Sequence, residues 1–215
     1  MRLRCSPSAW GQYKTMSNDL DTDALRRKWD ERHRAASAPR PPAAVLAENL
    51  HLLPARGRAL DLACGLGANA LLLARQGLDV CAWDLSPVAI DQLRRAADAQ
   101  GLTIDAQVRN IEAHPPEPED FDVIVVAHFL SRELMRAIAA ALRPGGLLFY
   151  QTFTQEAVTK TGPSSHQFRF ERNELLWVFS DLWVCVYREE AKLGDITQGQ
   201  RDEAMLIAQQ PYPAR

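Results

Sequence analysis

Between Arg58 and Asp84 an apolar strand (Arg58-Ala-Leu-Asp-Leu-Ala-Cys64) runs into Gly65-Leu-Gly67, then a helical stretch, then a second apolar strand that ends on an acid. No other stretch of the chain restricts its fold as tightly. Gly65 and Gly67 lack a Cβ, so the turn can enter backbone angles closed to other residues and the main chain can approach a ligand closely. Asp84 follows Gly65 by 19 positions, at the carboxyl end of the second strand, where a carboxylate can accept from both ribose hydroxyls. The order describes a βαβ unit that binds an adenosine-containing cofactor.

Two cofactors compete for such a unit. Gly65-Leu-Gly67-Ala-Asn-Ala70 formally fits the dinucleotide pattern G-x-G-x-x-G/A, so the glycines alone leave NAD open. Asp61 argues the other way. A fixed negative charge near the end of the first strand is ill placed beside a pyrophosphate, which wants donors and positive potential. S-adenosylmethionine has no phosphate, and its ammonium and sulfonium groups are cations that a carboxylate favours.

At these residues the chain resembles the class I S-adenosylmethionine-dependent methyltransferases, whose first motif reads acid-x-x-x-Gly-x-Gly, as Asp61-Leu-Ala-Cys-Gly65-Leu-Gly67 does. Val80-Cys-Ala-Trp-Asp84-Leu-Ser-Pro is similar to the family's second motif, with Asp84 as the ribose acid. Val108-Arg-Asn110-Ile111-Glu112 falls where the family places an acid against the adenine amino group; here the residue is Asn110, whose carbonyl oxygen can also accept. Phe121-Asp-Val-Ile-Val-Val-Ala-His128 resembles the fourth strand, and Leu142-Arg-Pro-Gly-Gly-Leu-Leu-Phe-Tyr the turn into the fifth. The likeness covers roughly residues 25 to 210 and is nearest to the small tellurite-resistance-type methyltransferases. It implies a Rossmann-like α/β fold, with a seven-stranded, mostly parallel sheet, the last strand antiparallel, and helices on both faces. It also implies S-adenosylmethionine contacts at Asp61, Ala63, Gly65, Gly67, Asp84, Leu85, Asn110, Ile111 and Trp29.

The rest of the chain fits one domain. Its 215 residues are 47% hydrophobic, enough for a full core, and the formal charge of −2 gives no footprint for nucleic acid or an anionic membrane. A small-molecule methyl acceptor is therefore the expected partner, with the chain a monomer or dimer. Cys5, Cys64, Cys81 and Cys185 form no C-x-x-C pair, so no metal site is expected and a reduced cytoplasmic location fits. Cys64 reads more readily as a small buried apolar residue than as a reactive thiol. Apolar runs fall far short of the roughly 20 residues that span a bilayer.

Residues 1 to 20 carry no helical or strand periodicity and are expected to form a disordered tail, with 21 to 215 the methyltransferase domain. From about 23 to 36 the chain reads as a helix with Leu25, Trp29 and His33 on one face. Trp29, Asp30 and His33 could form a lid over the cofactor, or the helix could simply pack on the sheet. A helix is expected near 43–52. Ser86 and Pro87 predict a helix start, Ser131 another, and Pro144-Gly145-Gly146 the end of that second helix. Residues 183–189 and 203–209 read as an antiparallel strand pair.

The loop from Gln155 to His166, with Thr159, Thr161, Ser164 and Ser165, is either a substrate contact or solvated, and Arg169 and Arg172 are weak candidates for an anionic substrate. His128, ending the fourth strand, is the candidate base; a neutral histidine walling the site is the equal alternative. The expected function is in-line methyl transfer to a small molecule. An NAD-dependent oxidoreductase and a non-catalytic S-adenosylmethionine-binding protein remain the alternatives.

Overall fold

The computed structural model describes residues 22–36 and 40–213, so the expected tail at 1–20 lies outside the described residues. In chain order the elements are α1 (Thr22–Ala35), α2 (Ala44–Ala47), β1 (Arg58–Leu62), α3 (Ala68–Arg75), β2 (Asp79–Asp84), α4 (Pro87–Asp98), β3 (Ile104–Val108) and β4 (Phe121–Ala127). There follow α5 (Met135–Ala140), β5 (Leu142–Phe153), α6 (Glu174–Val178), β6 (Trp183–Glu189) and β7 (Glu203–Gln209). The helix expected near 43–52 divides into α2 and a separate 3-10 turn at Leu50–Leu52.

The seven strands form one sheet in the order β3-β2-β1-β4-β5-β7-β6. β1 pairs in parallel with β2 and β4, β2 with β3, and β4 with β5, while β7 runs antiparallel between β5 and β6. The expected fold is the observed one. Side chains alternate across a strand, so β4 feeds both faces: Ile124 and Val126 enter one core with Leu60, Leu62, Leu148 and Tyr150, under α5 and α6. Val123 and Val125 enter the other with Ala59, Val80 and Phe149, under α2, α3 and α4. This two-sided burial is why β4 reads as a continuous apolar run.

Local signals hold at α4, where the Ser86 hydroxyl accepts from the Ala89 N–H at 3.2 Å and Pro87 opens the helix. They fail before β5. Ser131 makes no side-chain cap, α5 ends at Ala140, and Pro144-Gly145-Gly146 lies inside β5 instead of stopping a helix. The cause is tertiary: Gly145 turns through a φ of +80° and donates to the Gln210 carbonyl, while Gly146 accepts from the Gln210 N–H, across a register shift between Phe121 and Val123. The run is stitched into the sheet.

Register decides what meets at the rim. Leu62 stands beside Trp83 and Val126, Asp84 beside Val108, Ala127 beside Gln151, and Phe153 beside Glu203. The carboxyl ends of β1 to β5 and the start of the antiparallel β7 therefore share one edge, where an open α/β sheet binds its ligand.

Candidate functional site

Asp61 sits in the last turn of pleat before the glycines, 1% exposed, pointing to the face that α3 covers. Its Oδ2 accepts from the Ala70 N–H at 3.0 Å, so the carboxylate meets the positive end of α3. Among the described residues its Oδ1 has no hydrogen-bond partner. Burial pushes the carboxyl up to about 7, against the pull of the Ala70 N–H and the Asn69 side chain, with the charge of Asp84 adding to the rise. A buried carboxylate with one oxygen open can accept from a donor, and a positively charged donor would favour its ionised form. Asn69 is itself fixed, its carbonyl accepting from the Ala43 N–H at 2.9 Å.

The turn behind it is closed by Asp84. One carboxylate oxygen accepts from the Gly65 N–H at 2.8 Å and the other from the Ser86 N–H at 2.8 Å. Each oxygen keeps a further acceptor lobe for a ribose hydroxyl. Burial raises the Asp84 carboxyl, the two N–H bonds and the His33 charge oppose the rise, and Asp30 adds to it. Ala63 and Leu85, beside these acids, are half-buried. Ala63 holds a φ of +56°.

The two glycines differ. A Cβ on Gly65 would meet only His33 Cε1 at 3.4 Å, whereas one on Gly67 would come within 2.2 Å of Leu93 Cδ1 in α4. Gly65 is bare toward the rim. Gly67 is required by helix packing, since no methyl fits between the turn and α4.

Helix α1 lies across this corner. The Ser86 hydroxyl donates to Asp30, which is buried, and Gln92 Nε2 donates to the His33 carbonyl at 3.4 Å. Trp29 stacks on His33 with ring centroids 6.0 Å apart and carries the Arg32 guanidinium at 5.3 Å. Burial lowers His33, the Asp84 charge raises it, Arg32 lowers it and Asp30 raises it. Three buried acids, Asp30, Asp61 and Asp84, thus gather around the glycine turn.

Asn110 follows β3 and is half-buried, but its carbonyl oxygen accepts from the Glu112 and Ala113 N–H groups at 3.1 and 3.3 Å. Both lone pairs are engaged by its own turn, which leaves the amide NH2 to face outward partners. Ile111 is 7% exposed and belongs to the core on the α5 side. Cys64 is buried and its thiol is held well above its ordinary range, first by burial and then by Asp61 and Asp84. It is an inert packing residue.

His128 directly follows β4 with a φ of +56°, its N–H donating to the Gln151 carbonyl at 2.8 Å. Its Nε2 lies 2.8 Å from Glu203 Oε1 at the start of β7, and its ring packs on Phe153 at 5.1 Å. Glu203 is the site residue that sequence reasoning missed, for it lies 75 positions away in a strand whose rim partner is set by sheet order.

Arg169 is reassigned. It is 7% exposed and its guanidinium donates to the carbonyls of Thr154, Pro163 and Thr161, so it holds the 155–166 loop and is no anion receptor. Asp202 holds the same loop, accepting from the N–H groups of Val158 and Thr159 and from the Thr159 hydroxyl. Arg172 pairs with Glu156 at 3.7 Å.

Residues 59–146 match a family model described as a methyltransferase domain. The ubiquinone biosynthesis O-methyltransferase of Methylocella silvestris is 39% identical over 103 residues, which cover 46% of this chain and 40% of that protein. Its counterpart in Coxiella burnetii is 32% identical over 101 residues, 45% of this chain and 43% of that protein. The chain thus spans less than half the length of these curated relatives. Among solved structures, TehB from Haemophilus influenzae superposes with a TM-score of 0.64 at 22% identity, over 88% of this chain and 66% of that one. The matched residues include Asp61, the glycine turn and Asp84.

Proposed function

We propose, from the premise that this chain carries a class I S-adenosylmethionine-dependent methyltransferase domain, that it catalyses in-line methyl transfer to a hydroxyl oxygen of a small molecule. The observation that carries the reading is Asp61: a buried carboxylate with an unpartnered oxygen, beside a bare Gly65 and within reach of the Asp84 charge. That chemistry fits a cation and opposes a pyrophosphate. When bound, S-adenosylmethionine supplies an electrophilic methyl group on a sulfonium that leaves as a neutral thioether.

Asp61 would hold the amino end of the cofactor and Asp84 the ribose hydroxyls, with Ala63, Gly65, Gly67, Leu85, Asn110, Ile111 and Trp29 around them. Helix α1 serves as the lid, latched by the bond between Ser86 and Asp30. Positioning alone can account for ~7 to 11 kcal/mol of the barrier. A hydroxyl arrives protonated, and His128 at the end of β4 is the base that takes its proton. The oxygen acceptor is favoured by the relatives' O-methyltransferase names together with the presence of a base at the rim.

Calorimetry with S-adenosylmethionine, S-adenosylhomocysteine and NAD tests the first half of this reading; binding of NAD alone defeats it. Incubation of the purified chain with S-adenosylmethionine and panels of phenols, thiols, amines and metalloid oxyanions tests the second. Cofactor binding with no methylated product from any panel would make the chain a non-catalytic binder.

A further inference from the structure

Glu203 accepts from more groups than a structural clasp between β4 and β7 would need. Its Oε1 faces His128 Nε2 at 2.8 Å, and its Oε2 accepts from the side-chain amides of Gln151 and, at 3.3 Å, Gln200. Gln151 is 3% exposed, and its own carbonyl accepts from the Val45 N–H of α2 at 2.8 Å. A backbone N–H can only donate, so the Gln151 carbonyl must face Val45 and its NH2 must face Glu203. The chain of bonds therefore has a direction, running from α2 through β5 and β7 to the rim.

We propose that Glu203 is a positioning residue that fixes the His128 imidazole in the tautomer protonated at Nε2, leaving Nδ1 with its lone pair free to take the acceptor's proton. This rests on the reading of His128 as the base. A carboxylate accepts and does not donate, so a hydrogen bond at 2.8 Å requires the proton on the imidazole side. Glu203 stays ionised at neutral pH: burial pushes its carboxyl up, but the bond and charge of His128 and the two glutamine amides bring it below the ordinary carboxylate range. No bond to Nδ1 is present among the described residues. The groups that face the pair are Gln151 of β5, Gln200 ahead of β7 and the apolar ring of Phe153. Holding the ring by the nitrogen away from the reacting atom is how an oriented histidine base keeps its lone pair available.

The substitution Glu203→Gln separates this role from a clasp. A glutamine offers one oxygen and one NH2 against three donors. If its oxygen stays with Gln151 and Gln200, its NH2 faces His128 Nε2, which must then accept, and the imidazole proton moves to Nδ1.

The test is long-range 1H–15N NMR of the 15N-labelled full chain with S-adenosylhomocysteine, at a pH where His128 is neutral. The parent and Glu203→Asp should show His128 protonated at Nε2, and Glu203→Gln should show it protonated at Nδ1. A parent protonated at Nδ1, or the same tautomer in the parent and Glu203→Gln, overturns the proposal. Should Glu203→Gln fail to fold, the tautomers of the parent and Glu203→Asp still decide it.

With a methylated phenol as the readout, Glu203→Gln should lower kcat by about 10²-fold with the KM for S-adenosylmethionine unchanged, because only the proton acceptor is lost. An unchanged kcat would overturn the role, and a raised KM at constant kcat would mark Glu203 as a clasp. Absence of methylation in every phenol counts against the proposed acceptor class; the tautomer experiment is independent of it.

Discussion

Replacing Asp61 by asparagine isolates the charge at the heart of the site. The parent carboxyl binds its proton near pH 7 when folded, against an ordinary value of 3.8. A raised folded-state value means that the ionised group destabilises the cofactor-free fold at pH 8. Stability returns as the pH falls through 7 and is complete only below 3.8. Between pH 7 and pH 5 the folded state binds this proton while the unfolded state does not. Two pH units of differential binding amount to about 3 kcal/mol.

Asp61→Asn has nothing to titrate. Its carbonyl can still accept from the Ala70 N–H, and whatever its buried NH2 costs is the same at every pH. The absolute difference between the two proteins is therefore uninformative, and its slope with pH carries the result. Urea unfolding of the cofactor-free proteins at pH 5, 6, 7 and 8 should show the parent gaining about 3 kcal/mol relative to Asp61→Asn on acidification. Parallel stability curves from pH 5 to 8 would refute the assignment of a raised carboxyl. The same carboxylate should make cofactor binding pH-dependent, because an ammonium needs the ionised form. Calorimetry should show affinity for S-adenosylmethionine falling about tenfold per pH unit below 7 in the parent, and a weak, nearly flat affinity in Asp61→Asn.

Other substitutions divide stability from binding. Gly67→Ala, with its new methyl driven onto Leu93 at a φ of +78°, should lower stability by about 1 to 3 kcal/mol in denaturant titration; Gly65→Ala should lose cofactor affinity with a much smaller change in stability. Asp84→Ala removes the acceptor for Gly65, Ser86 and the ribose together, so calorimetry should show affinity falling by roughly 1.5 to 3 kcal/mol and the Tm should fall with it. Removing the imidazole with His128→Ala should leave cofactor affinity intact and cut turnover by about 10²-fold to 10⁴-fold for acceptors that must lose a proton, with little effect on acidic phenols already ionised at the assay pH; equal, pH-independent rates in the two proteins would take His128 out of the mechanism. Arg169→Ala frees the carbonyls of Thr161 and Pro163 in the loop and of Thr154 ahead of it and should raise proteolytic cleavage between 155 and 166 before it alters cofactor binding.

What the sequence determined by itself is what short-range physics encodes. Alternation and continuous apolar runs marked β1, β4, β6 and β7, because a strand's side chains alternate whatever lies beside it. The Gly65–Gly67 turn and the Ser86-Pro87 helix start were legible for the same reason, as each depends on backbone angles and bonds within a few residues. Asp61 and Asp84 were legible as acids at strand ends. Tertiary structure alone decided what those groups touch. The Pro144-Gly145-Gly146 run joins β5 because Gln210, far along the chain, supplies its hydrogen bonds. Arg169 is a loop staple because three carbonyls close around it, and Asn110 turns its carbonyl inward because its own turn needs an acceptor. Glu203 reaches His128 only because β7 inserts antiparallel beside β5, which brings its first residue to the rim where β4 ends. Pairings of that kind follow from strand order and register, which are properties of the whole sheet and leave no trace in the neighbouring residues.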